Sequence, residues 1–396
     1  MTSRWTQLGA SVVAMIMIAN LQYAWTLFVH PIQDATGWKL SDIQWGFTLF
    51  ILFETWIMPL EGWLIDRMGP RVFLSIAGVL CGVGWTALGS VDSLGALYVF
   101  YSIAGVGAAF VYSGAIATAL KWFPDRRGLA SGLIAAGFGS GSALFIPLIT
   151  YLIRHDGYRT AFQYTGVLQG AIIIVAAQFL RHPEGASTAR PVAAADHQQF
   201  STLEMLRTRH FYWMYAMFVM MATGGLMVTA QAAPVARQWG ISLTALTAAL
   251  ALDRISNGAG RIFWGWVSDR IGREITMFIA FSLQSGCLLS LLWLGPLSGV
   301  WFTVSLVLTY FTWGEIFALF PSLTGDYFGA RHAASNYSFL YSAKGVASII
   351  GGGVSALLFE RFGSWSAPIY GSAALALAAG GMALALRAMG RPRKPA

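Results

Sequence analysis

Three basic residues sit inside long apolar stretches of the chain: Arg254, Arg261 and Lys344. In FLYSAKGVASIIGGG, residues 339–353, Lys344 is the only charge. Three acidic residues are placed in the same way: Glu54, Asp253 and Glu315. Ionisable groups within apolar spans are costly, and they mark substrate or ion pathways. The chemistry on offer is simple. Two cations can hold an anion, and buried carboxyls can neutralise them or carry a proton. In ALDRISNGAGRIFWG, residues 251–265, Asp253, Asn257 and Arg261 recur every four residues and therefore share one helix face. Arg254 lies seven residues before Arg261, on the edge of that face. Either the adjacent Asp253 neutralises it, splayed by about 100° around the helix, or a partner on another helix does.

The elements that must position these groups are membrane helices. The chain has 396 residues, of which 56% are hydrophobic and only 11% charged. Its mean hydropathy is +0.61. A soluble domain is about 25% charged, so this composition cannot cover a water-facing surface. Twelve apolar spans are predicted: 8–29, 43–64, 72–90, 95–120, 128–152, 160–180, 211–235, 242–267, 274–293, 298–321, 333–358 and 366–387. Each is long enough to cross a bilayer, and each must be helical to satisfy its own backbone in lipid. The first span lacks the small-residue cleavage site of a signal peptide. Cys81 and Cys287 fall in apolar spans and suggest no disulfide framework.

Charge sets the orientation. Seventeen of the 25 basic residues fall at the termini or after even-numbered spans, five fall on the opposite side, and three lie within spans. By the excess of Lys and Arg in cytoplasmic loops, both termini are expected in the cytoplasm of a cell (inner) membrane protein. The net charge of +8 thus belongs to loops, and nucleic acid is not an expected partner. The hydrophilic stretch 182–210 separates six spans from six. It reads as a cytoplasmic linker between an N-terminal bundle, 1–181, and a C-terminal bundle, 211–396.

The two halves repeat. GWLIDRMGPR, from Gly62, matches GWVSDRIGRE, from Gly265, at an offset of 203 residues. A second echo joins the stretches that begin at Arg126 and Arg331. In that register Lys344 corresponds to Gly139 and Arg261 to Met58. The repeat therefore does not require these cations as scaffold, as expected of a substrate site.

Two copies of G-x-x-x-D-R-x-G, followed by Pro-Arg in the first and Arg-Glu in the second, in a twelve-span chain resemble the major facilitator superfamily. That resemblance implies an all-α fold of two six-helix pseudo-repeats. It gives Gly62, Asp66, Arg67, Gly69 and Arg71, and Gly265, Asp269, Arg270, Gly272 and Arg273, a gating role, with each Asp pairing nearby basic groups or a helix N-terminus. LQYAWTLFVHPI (21–32), KWFPDRRGLASGLIAAGFGSG (121–141), SNGAGRIFWGWVSDRIGR (256–273), YFTWGEIFALFPS (310–322) and YSAKGVASIIGGG (341–353) narrow the likeness to the oxalate–formate antiporter family. The resemblance implies exchange of small carboxylate anions, with Arg261 and Lys344 clamping carboxylates. Gln22, Tyr23, Gln44, Tyr112, Trp313 and Tyr341 would line the cavity, with Asn257 on the Arg261 face. The sequence departs from the family's pattern at Phe138 and Phe317, which replace tyrosines, and at Tyr341, which replaces a tryptophan. Glu54, Glu61 and Glu315 add carboxyls, and Glu61 is expected to serve the gate. Glu54, Asp253 and Glu315 are candidates for proton coupling. That coupling is the pattern of the related monocarboxylate carriers and makes a lactate- or pyruvate-type symporter the alternative. No cofactor or metal is expected, since the six histidines (30, 155, 182, 197, 210 and 332) show no ligand spacing. Enzymatic activity is not expected, and a functional monomer in the lipid bilayer is.

Overall fold

In the computed structural model, residues 3–123, 125–181, 199–329 and 331–392 are described, with the side chains of residues 62, 63, 66, 127–129 and 131 outside the description. The linker segment 182–198 and the carboxylate of Asp66 thus lie outside the described residues.

Among the described residues, nine helices are long and apolar enough to cross a membrane, and the bent pair Arg4–Tyr23 and Trp25–Thr36 makes ten. Two more crossings complete the twelve. The element Phe145–Phe179 is two helices joined at Gly157, whose φ of 83° turns the chain back. The helix Leu243–Ile271 is long enough to span but is loaded with Asp253, Arg254, Arg261, Asp269 and Arg270. The eighth crossing falls short of that apolar character because it carries two of the three intramembrane cations, Arg254 and Arg261.

The crossings run as follows. The first is the bent pair. The second is Leu40–Trp56 with Met58–Met68, the third Pro70–Ala87 and the fourth Leu94–Trp122. The fifth begins with Arg127–Gly141 and ends at Gly157, where the sixth begins. Arg209–Gln238, Leu243–Ile271 and Arg273–Leu294 are the seventh to ninth. Gly299–Trp313 with Ile316–Phe328 forms the tenth. The eleventh runs from Ala333 to Phe362 through a π-helical stretch, Ile349–Val354, and Ser366–Met389 is the twelfth.

The internal repeat is visible in the backbone. Gly69 (φ 77°, ψ 157°) links the second and third crossings, and Gly272 (φ 91°, ψ 156°) links the eighth and ninth. Both turns need a positive φ that only glycine adopts freely. Third packs on fourth and sixth, and ninth packs on tenth and twelfth. Between the halves, first meets seventh, second meets eleventh and fifth meets eighth.

Four crossings are broken among the described residues: the first at Ala24, the second at Ile57, the tenth at Gly314–Glu315 and the eleventh at Ser342. Irregular backbone at membrane depth is tolerated where it is buried in protein or lines a cavity. The residues bordering these breaks include Gln22, Tyr23, Glu315, Tyr341 and Lys344.

Candidate functional site

Lys344 lies on the short helix Ala343–Ser348, just after the break at Ser342, and is 0% exposed. Its Nζ donates to both carboxylate oxygens of Glu54, at 3.0 and 2.9 Å. It also donates to Gln22 Oε1 at 2.8 Å and to the Tyr341 hydroxyl at 3.3 Å. Three partner residues match the three donors of an ammonium. The pair bridges the halves, since Glu54 is on the second crossing and Lys344 on the eleventh. The ammonium also sits 5.6 Å from the Phe138 ring centroid and 5.9 Å from that of Phe317.

Arg261 has the opposite character. It is 4% exposed, and its Nη1 donates to the Ala135 carbonyl of the fifth crossing at 2.9 Å. Its Nε and Nη2 are buried with no hydrogen-bond partner among the described residues. Those two nitrogens form one edge of the guanidinium, the edge that grips a carboxylate with two parallel N–H bonds. The Phe317 ring lies 4.5 Å from its central carbon. Gly139 makes room for the group: a Cβ there would lie 3.0 Å from Nε. Asn257, one turn earlier, points Nδ2 at the Gly139 carbonyl (3.4 Å) and the Tyr23 hydroxyl (3.5 Å).

The remaining charges sort by geometry. Asp253 bonds its chain neighbour Arg254 through Oδ1 and Nε. The alternative of a partner on another helix is not what the structure holds. The Arg254 guanidinium is sandwiched between Tyr23, at 4.3 Å, and Tyr310, at 3.7 Å, a stacking that suits its planar cation. Glu315 stands at the break of the tenth crossing, with both carboxylate oxygens buried and unpartnered among the described residues. Glu54, not Glu315, is therefore the carboxylate that meets Lys344. Glu61 is also buried, with both oxygens unpartnered among the described residues.

Aromatic rings enclose the two cations. Tyr112 stacks on Tyr341 at 5.6 Å and meets Phe138 edge-on at 5.6 Å. Tyr23 lies 5.3 Å from Phe138, and Phe317 lies 6.2 Å from Tyr341. Phe138 and Phe317 thus belong to the wall; the sequence marks them only as places where tyrosine is absent. Trp313 stands one layer behind Phe317, at 5.1 Å. Its ring fills a notch at Gly225, where a Cβ would come within 2.1 Å of it. Gln44 lies on the second crossing beside Trp25, whose indole donates to Oε1 at 3.1 Å, and its amide donates to Ala230 and Gln231 of the seventh.

Beyond Gln44, on the face away from the termini, polar contacts join the two halves. Arg237 bonds Asp34 at 3.1 Å and His30 at 3.0 Å. Glu360 accepts from the backbone and hydroxyl of Ser41 at 2.8 and 2.9 Å. Sequence reasoning missed this latch, because its members lie far apart in the chain and carry no motif. On the face that holds the termini, Asp269 pairs with Arg273 at 2.6 Å, and Asp326 adds a second acceptor at 3.3 Å. Arg270 covers the Trp266 ring at 3.6 Å, and Arg71 donates to the Gln178 carbonyl at 2.8 Å. Gly265 faces Ala318 in ordinary contact. Gly62 and Arg67 lie on the helix Met58–Met68 that leads to the Gly69 turn.

A twelve-crossing helical bundle with an internal repeat, broken central helices and buried cations between its halves defines a secondary transporter. The family model of the Major Facilitator Superfamily matches residues 10–352, and the chain belongs to that superfamily. It is 39% identical to the "Oxalate:formate antiporter" of Oxalobacter formigenes, over 99% of this chain and 94% of that protein. More distant relatives include "Monocarboxylate transporter 13" of Bos taurus, 24% identical over 87% of this chain and 80% of that protein. The "Apicoplast pyruvate carrier 1" of Toxoplasma gondii is 22% identical over 78% of this chain and 68% of that protein.

Proposed function

We propose that the protein exchanges small carboxylate anions of the oxalate and formate type by alternating access. One observation carries this reading: buried Arg261 has an Nε–Nη2 edge with no hydrogen-bond partner among the described residues, and the Phe317 ring lies 4.5 Å from its central carbon and 5.9 Å from Lys344 Nζ. A desolvated guanidinium edge without a partner is strongly disfavoured, and a carboxylate is the ligand whose geometry satisfies it. Gln22, Tyr23, Tyr112, Asn257 and Tyr341 set the site's polar and aromatic wall, with Gln44 and Trp313 supporting it.

The bundles 1–181 and 211–396 rock about this site. The latch of Arg237 with Asp34 holds the face away from the termini closed, and the loop motifs around Asp66 and Asp269 govern the other face. The basic, terminus-bearing face is cytoplasmic and the membrane is the inner one. A single chain suffices, because both cations and their surroundings come from one chain.

The test is flux in proteoliposomes loaded with unlabelled oxalate and given labelled oxalate or formate outside, under an imposed pH gradient. Uptake that requires internal anion and ignores the gradient is expected. Arg261→Ala and Lys344→Ala are each expected to abolish it in folded protein. Full activity in both variants would overturn the site.

A second reading, a proton-coupled monocarboxylate symporter, is favoured by the Glu54 contact with Lys344. Glu315 and Asp253 are its other candidate carboxyls. Gradient-driven uptake of lactate or pyruvate into anion-free vesicles would select it.

A further inference from the structure

The two cations of the site are not in the same condition. Lys344 has every donor engaged, and Arg261 has an open edge. The charges explain why. Arg254 is neutralised by Asp253 and Lys344 by Glu54, whereas no carboxylate among the described residues lies in salt-bridge contact with Arg261. Glu54 also reaches Lys344 from the other half of the protein, 290 residues away in sequence. Its two oxygens straddle Nζ at 3.0 and 2.9 Å.

We propose that Glu54 is a tethered counter-ion that stands in for one substrate carboxylate at Lys344. This rests on the carboxylate-transport reading above and alters its coupling. A buried, unpaired ammonium is the chief obstacle to closing an empty carrier, since desolvating a lone charge costs several kcal/mol. With Glu54 in place that obstacle is absent on the Lys344 side. The empty protein then carries one unpaired site cation, Arg261, in place of two; it changes faces more readily than it would without Glu54, and exchange is accompanied by net movement. A monocarboxylate seats on Arg261 with the Glu54–Lys344 pair intact. A dianion gains its second cation only by displacing Glu54.

The test compares two fluxes from proteoliposomes loaded with labelled oxalate at neutral pH. One is exchange against external unlabelled oxalate. The other is net efflux into carboxylate-free chloride buffer, with potassium and valinomycin to prevent a limiting potential. Wild type is expected to show net efflux within about tenfold of exchange, and Glu54→Gln to lower the efflux-to-exchange ratio by about tenfold or more. Glu54→Asp, which keeps the charge, is expected to hold the ratio closer to wild type than Gln does. Exchange without net efflux in wild type would overturn the inference, and this arm decides alone if Glu54→Gln does not fold. An unchanged ratio in folded Glu54→Gln would overturn it too. A wild type that exchanges neither oxalate nor formate would refute the transport reading itself, and the inference with it.

Discussion

Replacing Arg261 by lysine keeps the charge and removes the fork. In the structure, Nη1 of Arg261 is committed to the Ala135 carbonyl, and Nε and Nη2 are free to grip one carboxylate side-on. Lysine has a single terminal nitrogen, so it offers the carboxylate one strong hydrogen bond where arginine offers two parallel ones. A hydrogen bond to a charged group contributes about 1.5–3 kcal/mol. At about 1.4 kcal/mol per tenfold, Arg261→Lys should weaken carboxylate binding roughly 10- to 100-fold. The aromatic wall sharpens the effect, because Phe317 at 4.5 Å supports a planar cation face-on. The assay is the half-saturation concentration for oxalate and formate in proteoliposome exchange, with circular dichroism and size-exclusion chromatography as folding controls. Half-saturation within about threefold of wild type would refute the side-on fork, since such a change is below 1 kcal/mol.

Three other outcomes test the architecture. Glu54→Gln leaves a buried ammonium unpaired and should destabilise the protein by about 3–5 kcal/mol, whereas Glu54→Gln with Lys344→Gln should regain most of that; unfolding in detergent measures both, and additive losses would contradict the pairing. Gly225→Ala drives a Cβ to within 2.1 Å of the Trp313 ring and should cost about 1–3 kcal/mol through overpacking; an unchanged melting temperature would remove the proposed close approach. Asp269→Asn removes the carboxylate charge that meets Arg273 at 2.6 Å; slower exchange at unchanged half-saturation is expected of a gate, and a changed affinity with unchanged rate would assign Asp269 to binding instead.

Much of this protein is legible in its sequence because lipid imposes strict local rules. A span must be long, apolar and helical, so most of the twelve crossings follow from hydropathy, while the charged eighth and the fifth–sixth division at Gly157 take their bounds from the fold. The duplicated motif exposes the repeat, and Gly69 and Gly272 confirm it in the turns. The intramembrane charges stand out because each is costly where it sits, which is how Arg261, Lys344, Glu54 and Asp253 were reachable from the sequence. The spacing of Asp253, Asn257 and Arg261 likewise needs only the helical period.

Pairing was decided elsewhere. Sequence could count three buried cations against three buried carboxyls, but a charge pairs with what lies within a few ångströms in space. Only the packing of the second crossing against the eleventh brings Glu54, and not Glu315, to Lys344. The latch of Arg237, Asp34 and His30 and the wall of Phe138 and Phe317 are also products of tertiary contact. By itself the sequence determined which charged side chains lie within the membrane spans and could build an anion site. The tertiary structure decided that one cation is already occupied and the other is open.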